Sequence, residues 1–428
     1  MARPSTGTPG LNRYNRAMES FWSALRNQRA FKALHYREFR LVTGCQMFGN
    51  LGTWMDELSR GWLIYQLTDS VVQLGLVRGI QFIPLLLFSP IAGSAADRYS
   101  RKTLLLISQA MNALLFAVLA VLIFTKSIEP WHVYVTAILA GIMQVIQHPA
   151  RTSLVSDTVP MEYLTNAIGL TSLVYNAARL LGPALAGALI GLADTGGAYT
   201  VQAVFLFLAT VWASMLHPMP AQAKGRQREP FFRSIVMGWK YAWHNESVRA
   251  GIFCTMAVSL LIFPFATLLP VFARDLLGVG ASGQGLLLAA MGVGALVSAG
   301  IITLSGHKLQ RGKVMLDSSL YYAAVIVVFA FTPWYWLSLV IMIVAGYCHV
   351  HANALVNTVV QSYSSAEYRG RTMALFNMSQ MLSTAGSMLI GLLASALGPR
   401  NAVAAMAVAG AIAIALLILS MPHARKIK

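Results

Sequence analysis

Three ionisable side chains, Asp56, Glu57 and Arg60, stand within five residues of one another inside an otherwise apolar stretch. Charged groups in such surroundings are costly to hold and usually serve a task. On a helix Asp56 and Arg60 are i,i+4 and Glu57 and Arg60 are i,i+3, so either carboxylate reaches the guanidinium. One acid then serves as a structural partner. The other is a proton carrier, because burial penalises the charged form of a carboxyl. Gln46, Asn50, Thr53 and Glu57 fall along one helix face, a polar stripe suited to front a cavity. On that geometry Glu57 is the expected titrating acid and Asp56 the partner of Arg60. The blander reading is one static ion cluster. At 1.5 Å per residue, both acids lie roughly 24–26 Å into the helix, slightly beyond its middle.

Other stretches carry polar groups at helical spacing. In "GYCHVHANALVNTVVQ", His349, Asn353, Asn357 and Gln361 recur every four residues and share a face, while His351 points elsewhere. Two histidines at i,i+2 do not share a face, so no metal site is expected. Gln144, His148 and Arg151 are spaced i, i+4, i+7, with Pro149 marking a helix end or kink. Arg179 either receives an anionic ligand or satisfies the acids at 56 and 57. Trp54, Trp62 and Tyr175 are aromatics that line a pathway or simply pack. Arg78 is expected to reach outward to the membrane interface. Substrate contact is therefore expected at Gln46, Asn50, Trp54, Gln144, His148, Arg179, His349, Asn353 and Asn357.

These side chains need elements to hold them, and composition says which. Hydrophobic residues make up 57% of the 428 and charged residues 11%; mean hydropathy is +0.61. A soluble chain carries about 25% charged residues. So much apolar surface calls for lipid as solvent. A spanning helix takes about 20 mostly apolar residues. Twelve stretches qualify: 39–67, 72–95, 103–125, 131–150, 166–193, 198–216, 250–274, 283–304, 315–331, 334–360, 372–397 and 401–421. The expected fold is an all-α membrane protein of twelve transmembrane helices in two pseudo-symmetric six-helix bundles. Its parts are a cytoplasmic amphipathic tail (1–38), an N-terminal bundle (39–216), a basic central loop (217–249), a C-terminal bundle (250–421) and a short tail (422–428). The stretch "FWSALRNQRAFKAL" reads as an amphipathic surface helix.

The net charge of +17 follows from the same arrangement. With the N-terminus inside, 26 of the 32 Lys and Arg fall on the inner face and three on the outer. That asymmetry puts both termini in the cytoplasm. No basic stretch with interleaved aromatics stands apart from the spans, so nucleic acid is not an expected partner. Cys45, Cys254 and Cys348 all fall inside apolar stretches, which argues against a disulfide framework. The first apolar run begins near Phe39, so no cleavable signal peptide is expected.

The two halves echo each other. Glu162-Tyr163 and Glu367-Tyr368 lie 205 residues apart; Gly182 and Gly187 precede Gly386 and Gly391 by 204. Repeated halves are what transporters use to alternate access around a midplane site. Between the second and third spans lies "GSAADRYSRK". Gly93-x-x-x-Asp97-Arg98-x-x-Arg101-Lys102 resembles the signature of the major facilitator superfamily, with Ser100 in place of the usual second glycine. Stretches such as "QHPARTSLVSDTVP", "NAARLLGPALAGALIG" and "LLPVFARDLLGVGASGQGLLLAAMGVGAL" look like the branch that includes the enterobactin exporter and macrolide efflux proteins. The resemblance covers about residues 30–420. It implies that the loop at Gly93–Lys102 is a cytoplasmic gate latch. Gly93 admits close helix approach. Asp97 accepts from the start of span eleven. Arg98, Arg101 and Lys102 pair with acids such as Asp157 and Glu162. Ala178-x-x-x-Gly182-Pro183-x-x-x-Gly187 resembles the antiporter motif of drug:proton exchangers, and Pro183 is expected to kink its span.

The expected function is secondary active transport: proton-coupled efflux of a small amphipathic molecule such as a drug, a macrolide or a siderophore-like metabolite. Protons and the bilayer are the implied partners, no cofactor is needed, and a monomer in the bacterial inner membrane is the family expectation. A lipid or lysolipid flippase and a solute importer are the alternatives. A membrane enzyme is disfavoured, since no P-loop, HExxH or nucleophile elbow occurs.

Overall fold

The computed structural model describes residues 29–81, 83–84, 100–217, 231–305 and 310–426. Nearly all of them are helical, and no strand occurs among the described residues. The helices are α1 (Arg37–Thr68), α2 (Val71–Ile80), α3 (Arg101–Phe124), α4 (Pro130–Asp157), α5 (Leu164–Ser214), α6 (Phe231–His244) and α7 (Glu246–Ala257). There follow α8 (Gly280–Ser305), α9 (Arg311–Phe331), α10 (Tyr335–Tyr363), α11 (Arg369–Leu397) and α12 (Pro399–Ser420). Eight helical segments among the described residues are long and apolar enough to cross a membrane. Large apolar side chains such as Leu114, Val121, Phe207, Val328 and Leu419 stand exposed on their outer surfaces. In water that would be a liability; against lipid tails it is the expected outer face.

Local chemistry starts and stops the helices. Ser70 caps α2 by accepting from the Gln73 amide at 3.4 Å. Glu129 and His132 form a reciprocal capping pair around Pro130, whose missing N–H costs nothing in the first turn. Asp69, in the left-handed region at φ 51°, closes α1. α5 holds helical dihedrals through Pro183; its break comes at Ala193 and Asp194. That interruption falls where the sequence expects a link between two spans. After α7 the helix turns irregular, with π turns at Val258–Ile262 and Phe272–Leu276 around a 3₁₀ stretch at Phe263–Leu268. Pro264 and Pro270 lack the N–H that a regular ladder needs. Of the N-terminal surface helix only Arg29–His35 is described, and it forms a 3₁₀ turn instead of an α-helix.

The ends of the helices gather on two faces. On one, the face of the termini, Glu38 at the start of α1 accepts from the His217 amide after α5 at 3.0 Å. On the same face Lys102 donates to the Leu216 carbonyl, and Arg425 pairs with Asp317 at 2.7 Å. The short links after α1, α3, α9 and α11 lie on the opposite, far face. Most helices pack against neighbours from their own half of the sequence. The main packing across the halves is α2 on α11 and α5 on α8. Both pairs meet through glycine. A Cβ on Gly75 would lie 2.5 Å from the Ser387 carbonyl oxygen, and one on Gly187 would lie 2.5 Å from that of Ala281. Only glycine lets these backbones touch.

Candidate functional site

α1 turns its two acids in different directions. Asp56 is buried and takes the guanidinium of Arg60, whose Nε donates to Oδ2 at 2.9 Å. Arg60 is fully buried. It also donates to Thr136 Oγ1 at 3.0 Å and to the Val133 carbonyl at 3.3 Å, which ties α1 to α4. Tyr199 donates to the other Asp56 oxygen at 3.3 Å. These further hydrogen bonds offset part of the cost of burying the two charges.

Glu57 faces the other way. Its carboxylate accepts from Arg78 of α2 at 2.6 Å, and Arg78 also donates to the Glu57 backbone carbonyl. Arg78 does not reach outward to the interface as the sequence suggests. A carboxylate and a carbonyl on the neighbouring helix offer it two partners inside the fold. The Glu57 side chain keeps 40% of its surface accessible, against 12% for Asp56. One residue of helix rotation thus separates a locked acid from one that lines a cavity.

Two cavities of about 490 Å³ each lie between the middle of the helices and the face of the termini. The first is bounded by Asn50, Thr53, Trp54 and Glu57 of α1, Gln144, Gln147 and Arg151 of α4, and Thr171, Ser172, Tyr175 and Asn176 of α5. Arg151 donates to Asn50 Oδ1 at 2.6 Å. The second is bounded by Trp54, Tyr175, Arg179, Ser259, Phe263, His349, Asn353, Asn357, Gln380 and Ser383. Trp54 and Tyr175 belong to both and meet edge to face at 5.7 Å. Arg151 lies 5.9 Å from the Tyr175 ring and Arg179 lies 5.4 Å from the Trp54 ring. A cation above an aromatic face is attracted by the ring quadrupole. His349 stacks on Phe263 at 5.0 Å, and its Nδ1 finds no partner among the described residues.

Of the residues expected to contact substrate, Asn50, Trp54, Gln144, Arg179, His349, Asn353 and Asn357 thus line these cavities. Gln46 does not. It is buried on α1, one helical turn before Asn50, with both amide atoms unpartnered among the described residues. The side chain of His148 lies outside what is described. Arg179 pairs with neither acid of α1. His351 is buried on another face, 3.1 Å from Ser298 Oγ. Gly93, Asp97 and Arg98 lie outside the described residues. Arg101 forms an ion pair with Asp157. Gly182 packs against Trp54, and a Cβ there would come within 2.6 Å of it. Among the described residues no cluster of His, Cys, Asp and Glu could hold a metal.

Sequence reasoning did not pick out the polar face of α5 as a unit. Thr171, Ser172, Tyr175, Asn176 and Arg179 recur at helical spacing, so the signal was present. It also gave no sign of a clasp on the far face. There Arg274 pairs with Asp69 at 2.5 Å and lies 4.1 Å from the Tyr65 ring, and Tyr65 donates to Asp275. These groups are some 200 residues apart in the chain, and no local pattern links them.

The site is thus a polar cavity inside a bundle of apolar helices, closed on one face by glycine contacts and a charged clasp. The chain matches the family model of the transmembrane secretion effector over residues 28–427, and it belongs to that family within the major facilitator superfamily. It is 28% identical over 229 residues to the staphyloferrin A transporter of Staphylococcus aureus (strain NCTC 8325 / PS 47), covering 52% of this chain and 56% of that one. The chain thus spans little more than half the length of that relative. It is 26% identical over 350 residues to the multidrug efflux pump Tap of Mycolicibacterium fortuitum, covering 79% of this chain and 84% of that one. Among solved structures, the nucleoside transporter NupG (D323A mutant) superposes with a TM-score of 0.71 at 12% identity, covering 89% of this chain and 99% of that one. That likeness concerns the fold alone. The chain is therefore a multi-pass integral membrane protein of that family.

Proposed function

We propose that the protein is a proton-coupled exporter of a small amphipathic molecule, working by alternating access in a bacterial plasma membrane. The observation that carries this reading is the placement of Glu57. It is an acid on a cavity wall, held by one arginine from a second helix, beside polar groups fit for a ligand. Protonation of Glu57 removes the ionic part of its hold on Arg78, leaves the bond to the Glu57 carbonyl, and so loosens α1 from α2. Because α2 also packs on α11, the same event weakens one of the two contacts between the halves. Binding a proton and moving the halves are then one equilibrium, which a pH gradient biases. Twelve spans in two six-helix bundles, both termini in the cytoplasm and a monomeric chain complete the reading. The basic inner face supports that orientation. With the face of the termini inside, the cavities are open inward and the far face is shut.

The test is flux of fluorescent amphipaths, of both charge signs, through proteoliposomes with and without an imposed pH gradient. Flux that follows the gradient and collapses with a protonophore is expected. Glu57→Gln should remove the gradient dependence while leaving exchange at equal pH. Gradient dependence lost in Asp56→Asn instead would reverse the assignment of the two acids. Flux indifferent to the gradient would favour a flippase.

A further inference from the structure

The charges around the two cavities do not cancel. In the first, Glu57 is the one carboxylate among the described lining residues, and Arg78 already holds it at 2.6 Å. That leaves Arg151 with no acid among the described residues. In the second, no carboxylate is among the described residues that line the wall beside Arg179; its neighbours there are a histidine, amides, hydroxyls and aromatic rings. Arg60 and Arg78, the other arginines deep among the helices, each have a carboxylate within 2.9 Å. The two that border the cavities are the exceptions.

A guanidinium carries five N–H donors. Arg151 spends one on Asn50, and no described residue accepts a hydrogen bond from Arg179. The rings of Tyr175 and Trp54 offset part of each positive charge without using a donor. Each arginine therefore keeps donors able to take acidic oxygens in a fork. The order in space is Arg151, Tyr175, Trp54, Arg179: a stepped aromatic shelf, its two rings edge to face, with a cation at either end. A cationic drug placed on this shelf would meet repulsion at both ends.

We infer that the translocated substrate is an organic anion, its acidic groups received by Arg151 and Arg179 and its apolar body lying along Trp54 and Tyr175. The inference rests on the transporter reading above and adds the charge class of the cargo. Carboxylate and phosphate oxygens share this chemistry, so a soluble metabolite and an anionic lysolipid both qualify.

The test uses the purified full-length chain in detergent, without any gradient, so it stands apart from the question of proton coupling. Binding of carboxyfluorescein is compared by fluorescence anisotropy with that of rhodamine 6G, a cationic dye on the same xanthene frame. The anion should bind at least about tenfold tighter, as hydrogen bonds to charged groups imply. Arg151→Gln and Arg179→Gln should each weaken the anion by about tenfold and leave or improve the cation, which also shows that each variant is folded. Arg179→Lys should recover part of the loss, since it restores charge but not the fork. Displacement of the dye by citrate assigns the anion to soluble metabolites, and displacement by lysophosphatidic acid alone assigns it to lipid. A preference for the cation, no measurable anion binding, or anion affinity that ignores either arginine would overturn the inference.

Discussion

Neighbouring residues of α1 carry unlike burdens, and substitution should separate them. Asp56 and Arg60 are buried together, so removing either leaves the other charged and uncompensated, at a cost of about 3–5 kcal/mol. Arg60→Met should lower the melting temperature in detergent sharply, whereas Glu57→Gln, at a partly accessible site, should barely move it. Thermal unfolding followed by loss of the monodisperse peak measures both. A second acid acts at the face of the termini. Burial raises the proton affinity of Glu38, but hydrogen bonds from the His217 ring and backbone, with the charges of His217 and Arg37, outweigh it and hold the carboxyl below its usual range. A depressed carboxyl stabilises the fold above its unfolded value near 4.5 and loses that contribution as pH falls through the lower folded value. Glu38→Gln should therefore reduce stability at pH 7, and the gap to the unaltered chain should close on acidification below that range.

At the scale of helices, the contacts that shut the far face are backbone to backbone. Gly187→Val would drive a side chain into the Ala281 carbonyl and the Gly285 backbone. The expected outcome is an intact, inserted protein with a several-fold loss of transport and a more open far face. A cysteine placed at Gln66, on the far-face cavity below the clasp, reports the opening through faster reaction with an impermeant maleimide. Cys45, Cys254 and Cys348 are all buried and give little background. The eight long apolar helical segments among the described residues were legible in the sequence because hydropathy and helical period are local properties, as was the interruption that follows residue 193. The cavity residues of α1 and α10 were legible for the same reason: Asn50 and Glu57, and His349, Asn353 and Asn357, recur on one face. Arg78, Gln46 and the Tyr65–Asp275 contact were not. Their surroundings depend on which helix lies alongside, and hydropathy does not encode that.

At the scale of the whole molecule, the cavities, the closed far face and the surplus of cavity cations make a statement about electricity. A bacterial membrane is negative inside. An organic anion leaving through this cavity and a proton entering in exchange both carry current in the same direction. Each elementary charge so moved draws about 2.3 kcal/mol from every 100 mV of membrane potential. The exporter would then run on voltage as well as on acidity. In proteoliposomes held at equal pH on both sides, a potassium diffusion potential set by valinomycin should drive anion flux, and reversing the sign of the potential should slow it. Two arginines left without acids would in this way join the cargo to the cell's electrical supply, with no further machinery in the chain.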